Sequence, residues 1–302
     1  MFSVRPKGGH TMKKIHYRKV ILSDVHLGSI GCNIEKVNNF IKNITCKEII
    51  LNGDIVDGWQ LKRKGRWTKN NTRFVRLLLK KMEKDYTQIT YLRGNHDDVL
   101  SRILPLKFDR LTFRENIQIE FNGRRYFVFH GDIYDTITSQ FTFLAHIGDF
   151  GYQTLLRLNR IYNRYRNYRG QPYYSISKVI KAKVKRAVNF ISKFEEKIVK
   201  LAKARNCDGV ICGHIHTPAD KIIDGVHYLN SGDWVESMTA IVEHMDGKVE
   251  VLEYNDFLKK LDAIRKEEQS PINSDRYDHN RYDEFQSVSS ETYNDDTIVL
   301  AN

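Results

Sequence analysis

Short apolar runs bounded by polar residues occur at Lys19–Ser23, Glu48–Asn52 and Gln88–Arg93, and between them Ile34–Ile44 and Thr72–Lys84 repeat apolar positions at helical spacing. Strand, helix and strand in alternation predict βαβ units, and so a parallel sheet with helices laid over it. Further along, apolar runs at Gln118–Phe121, Tyr126–His130, Gly209–Cys212, Val226–Asn230, Met238–Glu243 and Lys248–Tyr254 lie closer together. Asn122-Gly123 and Asp246-Gly247 separate two pairs of them, which predicts antiparallel hairpins. The whole pattern predicts an α/β fold with four layers, α-β-β-α: two sheets face to face and helices outside.

Between Asp135 and Arg205 the strand pattern stops. A stretch rich in Tyr, Arg, Lys and Leu follows, broken by Gly170, Pro172 and a helix-capping Ser175, and it reads as an inserted helical pair or cap. Tyr152–Phe194 holds eleven Lys or Arg and no Asp or Glu, so it calls for an external anion or a solvated face. Beyond about Lys266 the chain turns polar and aperiodic, the composition of a disordered tail. The expected division is an N-terminal extension (1–18), a catalytic domain (19–134 and 206–256), an insertion (135–205) and a helix end with tail (257–302). Met12, followed by Lys13 and Lys14, is a candidate start, with residues 1–11 as an overhang.

Charge narrows the partners. With 49 Lys or Arg against 37 Asp or Glu, the chain carries a formal +12, which favours nucleic acid, an acidic membrane surface or a phosphorylated substrate. Cys32, Cys46, Cys207 and Cys212 are scattered without a CxxC spacing, as free thiols of a reducing cytoplasm are. No stretch approaches the ~20 apolar residues that cross a bilayer, and no secretory apolar core precedes Val20. The expectation is a soluble or peripheral protein of the cytoplasm.

Five short motifs come directly after apolar runs: Asp24-Val25-His26, Gly53-Asp54-Ile55-Val56-Asp57, Gly94-Asn95-His96-Asp97, His130-Gly131-Asp132 and Gly213-His214-Ile215-His216. A parallel sheet delivers strand ends to one rim, the usual place for a site in an α/β fold. Any one motif alone is ordinary turn chemistry. Five in order, mixing carboxylate, amide and imidazole, make a ligand set suited to manganese, iron, zinc or cobalt rather than to an all-oxygen magnesium or calcium shell. Two cations about 3.5–4 Å apart stabilise both the attacking and leaving oxygens of a phosphoester displacement and need a shared carboxylate.

In this order the motifs resemble the calcineurin-like metallophosphoesterase family over roughly Val20 to Tyr254. The resemblance implies that family's α-β-β-α sandwich and two divalent ions, with manganese as the first expectation. It implies that Asp24, His26, Asp54 and His216 hold one ion and Asp54, Asn95, His130 and His214 the other, with Asp54 as the bridge. His96 would then sit over the phosphate without ligating, as an electrostatic or acid group, with Asp57 fixing its tautomer. Capping a helix is the plain alternative for Asp57. Asp97, Asp132 and Asp135 are lesser candidates, Asp132 as support for His130.

Within the family, the text around the motifs is most similar to the UDP-2,3-diacylglucosamine pyrophosphohydrolase branch, which serves lipid A assembly at the cytoplasmic face of the inner membrane. The similarity lies in Ser23-Asp24-Val25-His26-Leu27-Gly28, His130-Gly131-Asp132, the basic-aromatic insertion before Gly213-His214-Ile215-His216-Thr217-Pro218, and Asn230-Ser231-Gly232-Asp233-Trp234-Val235-Glu236. It implies a lipid-linked nucleotide as substrate and an anionic membrane surface as partner; the residues themselves allow a cap whose Phe141, Phe143, Leu144, Phe150, Leu155, Leu156 and Leu158 bury acyl chains, or equally one whose apolar side chains dock the insertion onto the core while its cations face solvent. Arg157, Arg160 and Arg164, with Asn95 and His96, would meet phosphate. The chain departs from the best-known members of that branch at His96, where they carry arginine, and after Asp135, where Thr136, Ile137 and Thr138 replace an acidic cluster. Three other readings stand beside it: a different lipid or nucleotide-linked phosphoester; a nuclease that tracks a strand with its cations and Tyr162, Tyr165, Tyr168, Tyr173 and Tyr174; and a non-enzymatic docking protein, which ought to have lost a ligand.

Overall fold

The computed structural model describes the backbone of residues 13–134, 149–172 and 176–269, without the side chains of 99, 134, 149–158, 176–184 and 268–269. The candidate start, Asp135, Thr136 to Thr138, Ser175, the Phe141, Phe143 and Leu144 expected in the cap, Tyr173 and Tyr174, and the tail lie outside the described residues, as do the side chains of Phe150, Leu155, Leu156, Arg157 and Leu158.

Strands β1 (Ile15–Leu22), β2 (Ile44–Asn52) and β3 (Gln88–Leu92) are parallel neighbours, with helices α1 (Ile34–Lys42), α2 (Gly58–Arg63) and α3 (Lys69–Lys84) in the connections. A short hairpin, β4 (Leu106–Phe108) and β5 (Leu111–Arg114), extends this sheet beyond β3. On the other side it closes with β11 (Thr239–Glu243) and β12 (Val249–Glu253), giving seven strands in the order β12-β11-β1-β2-β3-β5-β4. The second sheet has the order β6-β7-β8-β10-β9, built from β6 (Asn116–Phe121), β7 (Arg124–Phe129), β8 (Gly209–Cys212), β9 (Ala219–Ile223) and β10 (Val226–Asn230).

Successive side chains of a strand point to opposite faces, and that alternation makes the four layers. Ile21, Ile50, Val128, Ile211, Leu229 and Ile241 fill the space between the sheets. Their neighbours Val20, Leu22, Ile49, Leu51 and Val242 face outward and pack with Val37, Phe40 and Phe74 of the first helices and Phe257 of α6 (Tyr254–Gln269). On the far side Phe127, Phe129, Val210 and Cys212 meet Phe194, Ile198 and Ala202 of α5 (Ile176–Ala204). Each such fully buried aliphatic contributes about 1.5–3 kcal/mol, so a polar substitution on either face of these strands would be felt.

The Asn122-Gly123 turn has positive φ at both residues, 47° and 76°, as a tight hairpin between β6 and β7 requires, and β11 and β12 also pair antiparallel. The hairpin expectation does not extend to β8, which runs parallel to both β7 and β10. Parallel pairing needs a crossover, and α4 (Asp149–Tyr168) with α5 occupies the connection between β7 and β8. The segment read as an insertion, 135–205, therefore ends in the outer helical layer of the second sheet. Strand β9, unforeseen in the sequence, is an edge strand whose residues are all partly or fully exposed, so it has no apolar run to betray it.

Candidate metal centre

All five motifs lie just past the C-terminal ends of strands that run parallel within their sheets: β1, β2 and β3 in the first, β7 and β8 in the second. The loops are laced by backbone bonds. Asp24 N donates to Gly53 O at 3.1 Å, His26 N to Asp54 O at 3.0 Å and Gly213 N to His130 O at 2.9 Å. Carboxylates add to the lacing, since Asp54 Oδ1 accepts from His96 N at 2.8 Å and Asp24 Oδ2 from His214 N at 3.0 Å.

These carboxylates approach backbone so closely that a Cβ would collide with Asp54 at Gly94 and with Asp24 at Gly213. Asp24, His26, Asp54, His214 and His216 all have φ between 51° and 67°, a left-handed conformation that residues other than glycine seldom adopt and that costs about 1–3 kcal/mol each. Five of the eleven non-glycine residues with positive φ among the described residues thus lie on this one rim.

Ligand atoms of Asp24, His26 and His216 lie within 4.8 Å of one another, and so do those of Asp54, His130 and His214. A further group of the same kind joins Asp54 to His26 and His96. Asp54 thus faces both halves of the site, as the bridging role requires. Asn95 lies on the same loop as His96, and its buried Oδ1 makes no hydrogen bond.

The hydrogens of the donor set show whether it suits cations. His130 Nδ1 donates to the carbonyl of Asn52 at 2.9 Å, which leaves Nε2 without a hydrogen in the neutral ring. That nitrogen faces Asp54 Oδ2 at 3.3 Å, so without a cation the pair is satisfied only by protonating the ring, and a cation between them would take the proton's place. His26 Nε2 and His216 Nε2 meet at 3.4 Å, and His216 Nε2 stands 3.1 Å from Asp24 Oδ1. Leaving a buried polar atom unsatisfied costs about 1–3 kcal/mol, and Asp24 Oδ1 and His130 Nε2 share that condition with Asn95 Oδ1.

Burial works against ionisation of Asp24, but His216, His130 and His26 outweigh it and hold the carboxyl well below the usual range. Burial likewise opposes charge on His130 and His216, yet Asp54 and Asp24 pull both imidazoles well above theirs. The pocket demands positive charge, and a divalent cation answers that demand while releasing the protons. The residues fit two cations.

His96 stands beside this set. Its Nδ1 donates to Asp57 Oδ1 at 3.0 Å, and its Nε2 turns toward Asp54 Oδ2 at 3.9 Å. Asp57 Oδ1 also accepts from Gln60 N at 2.8 Å, capping α2. Capping and orienting are therefore one arrangement, in which the start of α2 fixes the carboxylate that fixes the imidazole. Arg160 and Arg164 are exposed on α4.

Three supporting carboxylates have defined partners. Asp132 Oδ2 pairs with Arg93 at 2.9 Å, tying the fourth motif to the residue just before the third. Asp97 takes the amides of Ile55 and Val56, both at 3.0 Å, pinning the loop that carries Asp54. Burial and the nearby Asp54 charge push its carboxyl up to about 6.

The third is Asp233, a site residue that the five motifs do not include. It is fully buried, its Oδ1 takes the amides of Val235, Glu236 and Ser237, and its Oδ2 makes no hydrogen bond but lies 3.4 Å from His216 Nδ1. A carboxylate behind a ligating imidazole sets its orientation. A signal for it exists in the chain, because Ser231-Gly232-Asp233 comes after an apolar run just as Gly53-Asp54 does. Asp233→Asn keeps an acceptor for the three amides and should weaken manganese binding roughly 10- to 100-fold, the usual cost of losing such support; unchanged affinity by calorimetry would remove Asp233 from the site.

The model of the calcineurin-like phosphoesterases matches residues 17–218. No curated protein matches the chain. Among solved structures, a predicted phosphoesterase from Streptococcus pneumoniae is 14% identical, covering 79% of this chain and 90% of that one, with a TM-score of 0.34. A phosphoesterase from E. coli is 13% identical (79% and 93% covered, TM-score 0.37), and an archaeal phosphodiesterase is 15% identical (78% and 98% covered, TM-score 0.37). The family model spans all five motifs, from Asp24 to His216, and the chain accordingly belongs to the calcineurin-like phosphoesterase family, as a metal-dependent hydrolase of phosphoester bonds.

Proposed function

We propose that the chain hydrolyses the pyrophosphate of UDP-2,3-diacylglucosamine to UMP and 2,3-diacylglucosamine 1-phosphate, with manganese as its metal, at the cytoplasmic surface of an anionic inner membrane. The observation that carries this reading is the agreement of the sequence around the motifs with that branch, above all Asn230–Glu236, a segment that here supports the centre through Asp233. The basic α4, with Arg160 and Arg164 exposed, supports it by offering cations for phosphate. Among the described residues no helix is long and apolar enough to cross a membrane.

In the proposed reaction water adds across the P–O–P bridge: its oxygen joins one phosphorus, and the bridging oxygen leaves with the other and takes up a proton. Asp24, His26, Asp54 and His216 would hold one cation and Asp54, Asn95, His130 and His214 the other; bound there, the pair supplies charge against the phosphate oxygens and acidifies water. His96 supplies the proton chemistry of the chain itself. Burial disfavours its charged form, but the Asp57 hydrogen bond and the Asp54 charge more than compensate and raise its pKa. With Nδ1 committed to Asp57, Nε2 is the nitrogen left to protonate the departing oxygen.

Incubating the manganese-loaded protein with UDP-2,3-diacylglucosamine in detergent should release UMP, read by mass spectrometry. Absence of UMP, with turnover of a simple phosphodiester intact, would overturn the substrate and leave the hydrolase. The nuclease reading draws on Tyr162, Tyr165 and Tyr168, all exposed among the cations of α4. It requires cleavage of single-stranded DNA whose binding falls steeply with salt.

A further inference from the structure

Trp59 leaves 54% of its surface exposed, yet its indole lies 4.4 Å from the His96 ring with the two planes 35° apart. An outward tryptophan forgoes much of the hydrophobic gain available to so large a side chain, and Trp59 joins none of the three core clusters. Its helix, α2, buries no residue at all. Stability alone does not account for an indole in that position.

The mount is nonetheless firm. Asp57 caps α2 while holding His96, Leu61 packs against Gly28, where a Cβ would strike it, and Arg66 N donates to Gly28 O at 3.2 Å. Trp59 is thereby carried on the same short element that positions the proton-transfer histidine. His26 lies on the next ring inward, its centroid 4.7 Å from that of His96. Lys62, Arg63, Lys64 and Arg66 are exposed on the same segment, and no Asp or Glu occurs between Asp57 and Glu83. The combination is a flat aromatic surface and a cationic surround at the edge of a phosphoester site.

We infer that Trp59 is a stacking platform for the nucleobase of a nucleotide whose phosphate enters the metal centre, an inference that rests on the nucleotide-linked reading above. Bases stack on aromatic side chains through faces that every base possesses. The indole adjoins the one imidazole that meets the reacting phosphate, so a base tethered to that phosphate through ribose has this surface within its surroundings. The cations of α2 and of the loop after it balance the phosphate charge as the base settles.

Calorimetry on the full-length, manganese-loaded protein would test this with UMP, ribose 5-phosphate and glucosamine 1-phosphate as titrants. The wild type should prefer UMP to ribose 5-phosphate by roughly tenfold or more, the scale of one base–aromatic stack. Trp59→Ala should erase that preference, Trp59→Phe should keep most of it, and Trp67→Phe, at an exposed tryptophan bonded to Thr72, should leave it unchanged. Equal weakening of UMP and ribose 5-phosphate in Trp59→Ala would mean that the indole merely props His96, and would overturn the platform. A preference for glucosamine 1-phosphate that Trp59→Ala abolishes would overturn the base in favour of the sugar. Release of UMP from UDP-2,3-diacylglucosamine without any preference for UMP over ribose 5-phosphate would overturn the platform while leaving the substrate standing.

Discussion

Replacing Asp54 with alanine is expected to abolish turnover of a phosphodiester such as bis-p-nitrophenyl phosphate and to lower retained metal at both positions together. Asp54 Oδ2 stands 3.3 Å from His130 Nε2, and the residue shares ligand-distance groups with His26 on one side and with His130 and His214 on the other. Removing a carboxylate common to both groups leaves imidazoles crowded together without the negative charge that draws cations in. The loss should exceed the roughly 10- to 100-fold cost of removing a group that only supports a ligand. Metal content by mass spectrometry and steady-state kinetics would be read together, with Asp54→Asn as the variant that keeps the shape and the bond from His96 N. Two equivalents of metal and normal turnover in Asp54→Ala would end the bridging assignment.

His96→Ala is expected to give the second largest effect and a different signature. Metal content should persist, because each cation keeps its own set in Asp24-His26-His216 and Asp54-His130-His214, and His96 shares a group only with Asp54 and His26, which belong to those sets already. The rate constant kcat should fall about 10²- to 10⁴-fold, the usual contribution of a positioned acid or base. If Nε2 protonates the departing oxygen, the loss should be large for an alkyl leaving group and small for p-nitrophenolate, which departs without help. Equal losses for both would leave His96 an electrostatic role and no proton transfer. Asp57→Asn should follow the same pattern more weakly, since Asp57 holds His96 Nδ1 at 3.0 Å but also caps α2.

Much of the centre is legible along the chain because each motif sits beside a local signal. Lys19–Ser23, Glu48–Asn52 and Gln88–Arg93 are apolar because their strands are covered on both faces, by the second sheet and by α1 and α3. The chain must turn where such a strand ends, and a turn built of Asp, His and Gly is visible in any window of a few residues. Strand β9 is invisible for the converse reason, as an edge strand whose inner face offers the core only Ala219 and Ile223, with Lys221 between them. The short hairpin of β4 and β5 is likewise only partly covered.

The parallel setting of β8 between β7 and β10 cannot be read locally either. Closely spaced strands imply hairpins unless a crossover intervenes, and the sequence pattern groups α5 with an insertion rather than with the layer it completes. That setting decides the function of Asp233. Because β10 runs parallel to β8, its end arrives at the same rim, and Asp233 comes to rest behind His216.

By itself the sequence determined the fold class, the candidate ligands and their order along the chain, since these depend on hydrophobic periodicity and residue chemistry within short windows. The tertiary structure alone decided the roles that depend on distant partners. The bond from His214 N to Asp24 spans 190 residues and that from His130 to Asn52 spans 78, and only such bonds show which way the His130 ring is turned and what holds the Asp24 carboxylate. Asp233 behind His216 and Trp59 against His96 belong to the same class, because a side chain's function there is set by direction and distance, which folding creates and no short window of sequence contains.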